Sequence, residues 1–286
     1  MKRNLFFALL CFALFALQAC GDSADKGKEG EGDPKTEVKD KDTDNSPKSE
    51  TSWEKGGLKV SAMEDSPKFP DAKLELKTPP RGVDLAAGEN QFEFNVEGYE
   101  LGAQTADAAN KGLANSGKGQ HIHFILNNGP YSAYYEPTFK HSLEDGHYVM
   151  LAFLSRSYHE SVKAPGAFAV TQFAVGQPEN FKEADLGAPH MMYSRPKGTY
   201  KGDDTKKLML DFYLLNCDLS PDGYKVRATI NDNEFMFTKW VPYVIEGLPL
   251  GEVNIKLELL DKDGNLVESP FNPSTRTVTL AEADPS

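Results

Sequence analysis

Apolar and polar residues alternate in a series of short segments along the chain from Leu58 onward. Successive side chains point to opposite faces of a strand, so this pattern predicts half-buried β-strands. Asn-Gly and Asp-Gly pairs separate several segments, as turns do, and no helical periodicity runs through the region. The main alternating sets are Phe92, Phe94 and Val96; Ile122, Phe124 and Leu126; Met150, Ala152 and Leu154; Leu208, Leu210 and Phe212; Val226, Ala228 and Ile230; and Val253, Ile255 and Leu257.

The second half of the strand-rich region repeats the order of the first. The matching segments are HIHFILNN with KVRATIND, LEDGHYVMLAFL with LPLGEVNIKLEL, and FEFNVEGYEL with LDFYLLNCDL. Short strands, regular turns and a repeated module predict an all-β chain with two tandem Ig-like β-sandwich domains. The expected limits of these domains are residues 53–178 and 190–286.

The start of the chain has the pattern of an export signal. Lys2 and Arg3 precede the apolar run Leu5 to Leu17, which is too short to span a bilayer comfortably and fits a signal sequence. The run ends in LQAC, which resembles the lipobox of bacterial lipoproteins. This resemblance implies removal of residues 1–19 and acylation of Cys20, although an ordinary secretory signal cut after Ala19 is the alternative.

Residues 20–52 are predicted to be a disordered tether. The segment after Cys20 lacks aromatic residues, and Val38 is its only large aliphatic residue, so it cannot bury enough apolar surface to order itself. A lipidated Cys20 followed by a tether implies a protein anchored in the cell envelope, at the outer membrane of a Gram-negative bacterium, with the membrane as one partner.

Composition narrows the function of the folded part. A formal net charge of −12 argues against a nucleic-acid partner, which requires a basic surface. After cleavage, Cys217 is the only cysteine other than Cys20, so no internal disulfide can form once Cys20 is lipidated.

Five of the six histidines lie between Gly119 and His159. His121 and His123 share the strand face opposite Ile122, so both imidazoles can meet one ligand, and His159 is the expected third metal ligand. His147 and Glu160 are reserve ligands. Imidazole sites suit zinc or copper. The alternative is a histidine face that is exposed or partly packed, covered by the long loop 102–119, whose Ala-rich centre is expected to hold one short helix.

Two further groups offer binding chemistry. Arg156 and Ser157, in SRSYHES, can contact an anion, because a guanidinium binds carboxylate or phosphate through a planar pair of donors. The alternative is that Arg156 pairs with Glu160 or Glu144. Tyr131 and Tyr134 suit contacts with a peptide or a sugar, and the alternative for these rings is packing against the sandwich.

Residues 88–175, through HIHF and SRSYHES, resemble a group of bacterial lipoproteins that are sometimes labelled phosphopeptide-binding. The resemblance implies a binding module rather than an enzyme. The chain has neither a G-x-S-x-G nor an H-E-x-x-H motif, although a zinc-dependent hydrolase built on three histidines stays open.

The expected function is therefore non-catalytic binding of a metal ion or an anionic or polar ligand by the first domain. The alternative is a surface adhesion or assembly component that binds a glycan, peptide or protein partner and holds no metal.

Overall fold

The computed structural model describes residues 51–178 and 183–284, and nearly all regular elements in it are β-strands. The predicted signal peptide, Cys20 and almost all of the tether lie outside the described residues. No helix within the described ranges has both the length and the apolar character needed to cross a bilayer.

The structure has seventeen strands and one short α-helix, α1 (Ala108–Lys111), among the described residues. In chain order the strands are β1 (Ser52–Lys55), β2 (Leu58–Ala62), β3 (Lys73–Thr78), β4 (Gly88–Glu97), β5 (His121–Leu126), β6 (Ser132–Tyr134), β7 (Thr138–Leu143), β8 (Gly146–Ser155), β9 (Phe168–Val175), β10 (His190–Arg195), β11 (Thr199–Lys201), β12 (Lys207–Leu215), β13 (Lys225–Ile230), β14 (Asn233–Phe237), β15 (Tyr243–Glu246), β16 (Gly251–Leu260) and β17 (Ser274–Ala281).

The first sandwich consists of a three-stranded sheet, β3-β4-β7, and a four-stranded sheet, β6-β5-β8-β9. Alternating residues of the two inner faces form its core, including Ile122 and Met150. The rings of Phe92 and Phe124 meet edge to face at its centre, with centroids 4.8 Å apart. This arrangement follows from the period-two patterns, because each strand turns its apolar set inward.

The second sandwich repeats this plan, with sheets β1-β2-β15-β12-β10 and β11-β17-β16-β13-β14. The paired sequence segments occupy equivalent strands: β5 corresponds to β13, β8 to β16, and β4 to β12. In each sandwich the earlier strand of the matched hairpin pairs antiparallel with the later one, β5 with β8 and β13 with β16. The predicted fold, two tandem Ig-like β-sandwiches, is confirmed.

The first domain does not begin at Trp53 as predicted. Strand β2 pairs with β15 of the second sandwich, and the Trp53 ring lies 5.4 Å from that of Phe237. The first strand of the first sandwich is β3, which starts at Lys73. An added β1-β2 hairpin covers the edge of β15, which would otherwise expose unpaired backbone groups.

A third apolar core lies between the two sandwiches. The residues of β8 that point away from the core of the first sandwich, Val149, Leu151 and Phe153, pack against Met192 of β10 and Tyr213 of β12. The Phe153 and Tyr213 rings stack with centroids 4.8 Å apart. Strand β8 is therefore buried on both faces, which explains its uninterrupted apolar run.

Candidate metal centre

His121 and His123 extend from β5 into the interface between the sandwiches. Their face of β5 also carries Ile125, a member of the third core, so the whole face is covered by the second sandwich. Both histidines have 0% of their surface exposed. The alternative interpretation, an exposed or partly packed face covered by the loop 102–119, was wrong, because a sheet of the second domain covers this face.

His159 reaches the same place from the tight loop after β8. A bridge between Ser155 and Ser161 closes the loop, and the Arg156 amide donates to the Glu160 carbonyl at 2.8 Å. His159 has φ +71°, a left-handed conformation that is unfavourable for a non-glycine residue. Such strain persists only where the surroundings enforce it, and here it turns an imidazole toward β5.

The three imidazoles form a compact set of nitrogen donors. His123 Nε2 lies 2.9 Å from His121 Nε2, which in turn lies 3.1 Å from His159 Nδ1. One donor atom from each histidine lies within 4.8 Å of the other two. Tetrahedral zinc with bonds of about 2.0–2.1 Å sets its nitrogen ligands roughly 3.3 Å apart. The two short separations are within half an ångström of that value.

Neighbouring groups orient two of the rings. The Gly119 carbonyl lies 2.8 Å from His121 Nδ1, and a carbonyl only accepts, so the proton of the neutral ring sits on Nδ1 and Nε2 carries the lone pair. His123 Nδ1 is 3.3 Å from the Ser194 hydroxyl of β10, and its ring stacks on Tyr131 at 3.5 Å. This is the arrangement in which metal-binding histidines are usually held.

The interface keeps all three imidazoles neutral near pH 7. Burial lowers the pKa of His121 to about 4, with smaller contributions from the charges of Arg195 and Lys197. Burial, and then the neighbouring histidines, lowers the pKa of His123 well below its ordinary value. Burial is also the main cause of the strongly lowered pKa of His159. Neutral imidazoles have lone pairs available to a metal without first releasing protons.

Arg156 does not serve as the predicted anion contact. Its guanidinium lies 3.0 Å from the Glu160 carboxylate, with both side chains buried, and it also donates to the Ser161 and Pro67 carbonyls. The alternative interpretation, pairing with Glu160, is correct. Ser157 is also occupied, because its hydroxyl accepts from the Thr105 amide at 3.2 Å.

Of the remaining predicted residues, only Tyr131 lies at the metal-ligand cluster. The Tyr131 hydroxyl lies 3.2 Å from His159 Nδ1, at the metal-ligand cluster. Tyr134 instead stacks on Phe139 at 3.4 Å, as the packing alternative expected. Of the reserve ligands, Glu160 is held by Arg156, and His147 lies at the end of β8 opposite the cluster.

The sequence alone did not point to the contribution of the second sandwich. Ser194 and Arg195 end β10, and Lys197 follows them. Every residue of β10 is buried, so the strand lacks the alternation by which its neighbours were found. The Arg195 guanidinium donates to the Tyr131 hydroxyl at 2.7 Å, which places a permanent charge beside the histidines.

Comparison with known proteins gives no functional precedent. No family model matches the chain, and no curated protein matches it.

Solved structures with weak similarity to this chain include fibronectin type-III modules. Fibronectin(III)-like modules of Clostridium thermocellum CbhA share 14% identity over 73% of this chain and 95% of theirs, with a TM-score of 0.26. A two-domain fibronectin type-III segment of chicken tenascin shares 10% over 73% and 99%, with a TM-score of 0.21. Bacteroides ovatus SGBP-B, in complex with a mixed-linkage heptasaccharide, shares 9% over 73% and 71%, with a TM-score of 0.21.

Proposed function

We propose that this chain binds one transition-metal ion through His121, His123 and His159, at the interface between its two sandwiches. The observation that carries the proposal is the convergence of three imidazole nitrogens, two from fully buried side chains and one from the partly buried His159. Three histidines on a solvent-exposed surface could lie close together without binding any ligand. Here the nitrogens of three neutral imidazoles face one another at 2.9–3.1 Å in the protein interior, and one bound ion would accept a lone pair from each.

Zinc and copper are the candidate ions. The donors are three neutral imidazoles, and no thiolate or carboxylate joins the cluster within the part of the chain that the structure describes. Imidazole suits both ions, whereas calcium and magnesium prefer oxygen ligands. The Tyr131 hydroxyl, 3.2 Å from His159 Nδ1, is the oxygen donor placed to complete the coordination.

We further propose that the role is binding rather than catalysis. A three-histidine site with an open position can activate water, so a hydrolase remains the competing hypothesis. Hydrolysis needs room for water and substrate beside the ion. His121 and His123 have no exposed surface, and the Tyr131 and His123 rings stack at 3.5 Å across the site. These features favour binding of an ion over hydrolysis at that ion.

The proposed location is the cell envelope, with the chain anchored to the outer membrane through acylated Cys20. The support comes from the sequence: an apolar run, a small residue and a cysteine in the order of a lipobox, followed by an acidic, apolar-poor tether. A metal-binding envelope protein of this kind would act at the membrane surface.

The decisive experiment measures metal content and affinity of the full chain purified in detergent. Elemental analysis should find about one equivalent of zinc or copper, and titration after chelation should restore it. The double variant His121→Gln, His123→Gln should lose the ion. His141→Gln is the matched control, because His141 is a half-buried histidine bonded to Tyr134, away from the cluster. Folded wild-type protein that takes up no more ion than the His121→Gln, His123→Gln variant would overturn the proposal.

A further inference from the structure

A second feature of this interface is a group of three cations, Arg195, Lys197 and Arg276. In the described parts of the chain, none of them forms an ion pair with a carboxylate, whereas other buried cations do: Arg156 pairs with Glu160 and Lys163 with Asp211. The chain has 43 acidic residues against 31 basic ones, so partners are abundant. The lack of a carboxylate partner for a cation as deeply buried as Arg195 needs an explanation.

Arg195 is the most deeply buried of the three, with 6% of its surface exposed. One of its terminal nitrogens donates to the Tyr131 hydroxyl at 2.7 Å, and its guanidinium lies over the Tyr200 ring. Its Nε is buried and has no hydrogen-bond partner. Asp211, whose charge acts on Arg195, is already engaged by Lys163 at 2.7 Å. A buried guanidinium without a counterion is costly.

Lys197, like Arg195, donates a hydrogen bond to Tyr131. Its ammonium donates to the Tyr131 carbonyl and lies 3.7 Å from the centroid of the Tyr131 ring. Burial lowers the pKa of Lys197 to about 8, and the charges of Arg195 and Arg276 contribute. The side chain is half-buried, so this part of the group meets solvent.

Arg276 completes the group from β17. It donates to the carbonyls of Ser194, Asn128 and Gly129 at 2.8–3.1 Å, which places its charge beside the backbone on both sides of the Arg195–Tyr131 contact. Carbonyl oxygens satisfy its donors and leave its charge uncompensated. Three positive charges are thus held close together by neutral partners alone.

We propose that Arg195, Lys197 and Arg276 form a binding site for a small oxyanion, a carboxylate or phosphate group, beside the histidine cluster. An oxyanion would supply the missing counter-charge and an acceptor for the unpartnered Arg195 Nε. Guanidinium and ammonium donors together match such groups in both charge and hydrogen bonding. This site is different from the anion site expected at Arg156, whose guanidinium is already paired with Glu160. It stands on uncompensated charge and does not depend on a metal.

The test uses inorganic phosphate as the probe. The full chain in detergent, freed of metal by chelation, is titrated calorimetrically at pH 7 and constant ionic strength. We expect saturable binding of one phosphate per chain. Lys197→Met, which removes one charge and keeps the apolar stem, should weaken binding roughly tenfold, as loss of one charge-assisted hydrogen bond does. Lys201→Met is the matched control, because Lys201 is an exposed lysine paired with Asp284.

If the Lys197→Met variant does not fold, an NMR measurement on the wild-type chain tests the proposal instead. In the wild-type chain, the Arg195 Nε resonance, assigned by comparison with Arg195→Lys, should shift on phosphate addition and follow the calorimetric binding curve. Absence of saturable phosphate binding by the wild-type chain would overturn the proposal. So would phosphate binding that leaves the Arg195 signal unmoved. Because metal is absent throughout, neither result depends on the fate of the metal proposal.

Discussion

The Nε2 atoms of His121 and His123 lie 2.9 Å apart, with both side chains fully buried. Since the Gly119 carbonyl holds the proton of His121 on Nδ1, its Nε2 offers only a lone pair. Without metal, His123 must therefore direct an N–H at that lone pair. With metal, His123 must carry its proton on Nδ1, toward Ser194. The pair can change between these two states by moving one proton within one ring.

The metal-free protein should lose stability in mild acid. The folded-state pKa of His121 is about 4, below its ordinary value of 6.5, so the unfolded chain binds more protons in between. Stability is then complete above about pH 6.5 and falls as the pH decreases toward 4. Lowering the pH from 7.5 to 5 should reduce the free energy of unfolding by about 2 kcal/mol through His121 alone.

Denaturant unfolding of chelated protein at those two pH values measures this loss. The His121→Gln variant lacks the titrating group. Its free energy of unfolding should therefore fall by about 2 kcal/mol less than that of the wild type over the same pH range. An identical pH dependence in wild type and variant would show that His121 becomes protonated in the folded protein without penalty.

Ser194 should act as a positioning residue for the metal. Its hydroxyl lies 3.3 Å from His123 Nδ1 and fixes the ring from the other sandwich. Groups in this position typically account for about 10–100-fold of metal affinity, and Ser194→Ala should lie near the lower limit because the bond is long. Competition titration gives the affinity, and the EPR spectrum of the copper form should change. Ser274→Ala, on β17, is the control, and equal affinity in both variants would remove Ser194 from the site.

Much of the fold could be predicted because apolar alternation reports burial directly. The segments around Phe92, Ile122, Met150, Val226 and Ile255 all form strands whose predicted apolar sets face a sandwich core. Alternation of apolar and polar residues identifies a strand when the two faces of that strand meet different environments. It gave no signal for β10, HMMYSR, in which every residue is buried but only the central residues are apolar.

The candidate site was predictable only in part, for the same reason. Alternation placed His121 and His123 on one face, and the second copy of the module showed that imidazole is not required there. Nothing local indicates what covers that face. The burial of the histidines, the contact with Ser194 and the charge of Arg195 all come from a partner sheet about 70 residues away, as the His123–Ser194 separation of 71 shows.

Cys20 should determine whether the protein is attached to a membrane. If the lipobox is used, Cys20→Ser should move the chain from the membrane fraction to the soluble fraction and remove label from a radioactive fatty acid, since the acyl chains supply the anchoring free energy. Cys217→Ser is the matched control, because Cys217 is a half-buried residue of the second sandwich. Membrane attachment that survives Cys20→Ser would favour a signal cut after Ala19 and another mode of attachment.

The inter-sandwich core should contribute strongly to stability. Phe153 is fully buried and stacks on Tyr213 across the interface, and its ring also lies 5.1 Å from that of His123. Phe153→Ala should lower the free energy of unfolding by about 3–5 kcal/mol, because it removes a large ring from a packed core. Val83→Ala, at a position with 44% of its surface exposed, should change it by less than about 0.5 kcal/mol.

The same variant connects packing to metal binding. The histidine cluster is shaped by both sandwiches, so loosening the interface should also weaken metal affinity, even though Phe153 is not a ligand. Unfolding curves and metal titrations on one preparation test both effects. A loss below about 1 kcal/mol with unchanged metal affinity would mean that the two sandwiches dock loosely, and that His121, His123 and His159 do not need the second sandwich to hold an ion.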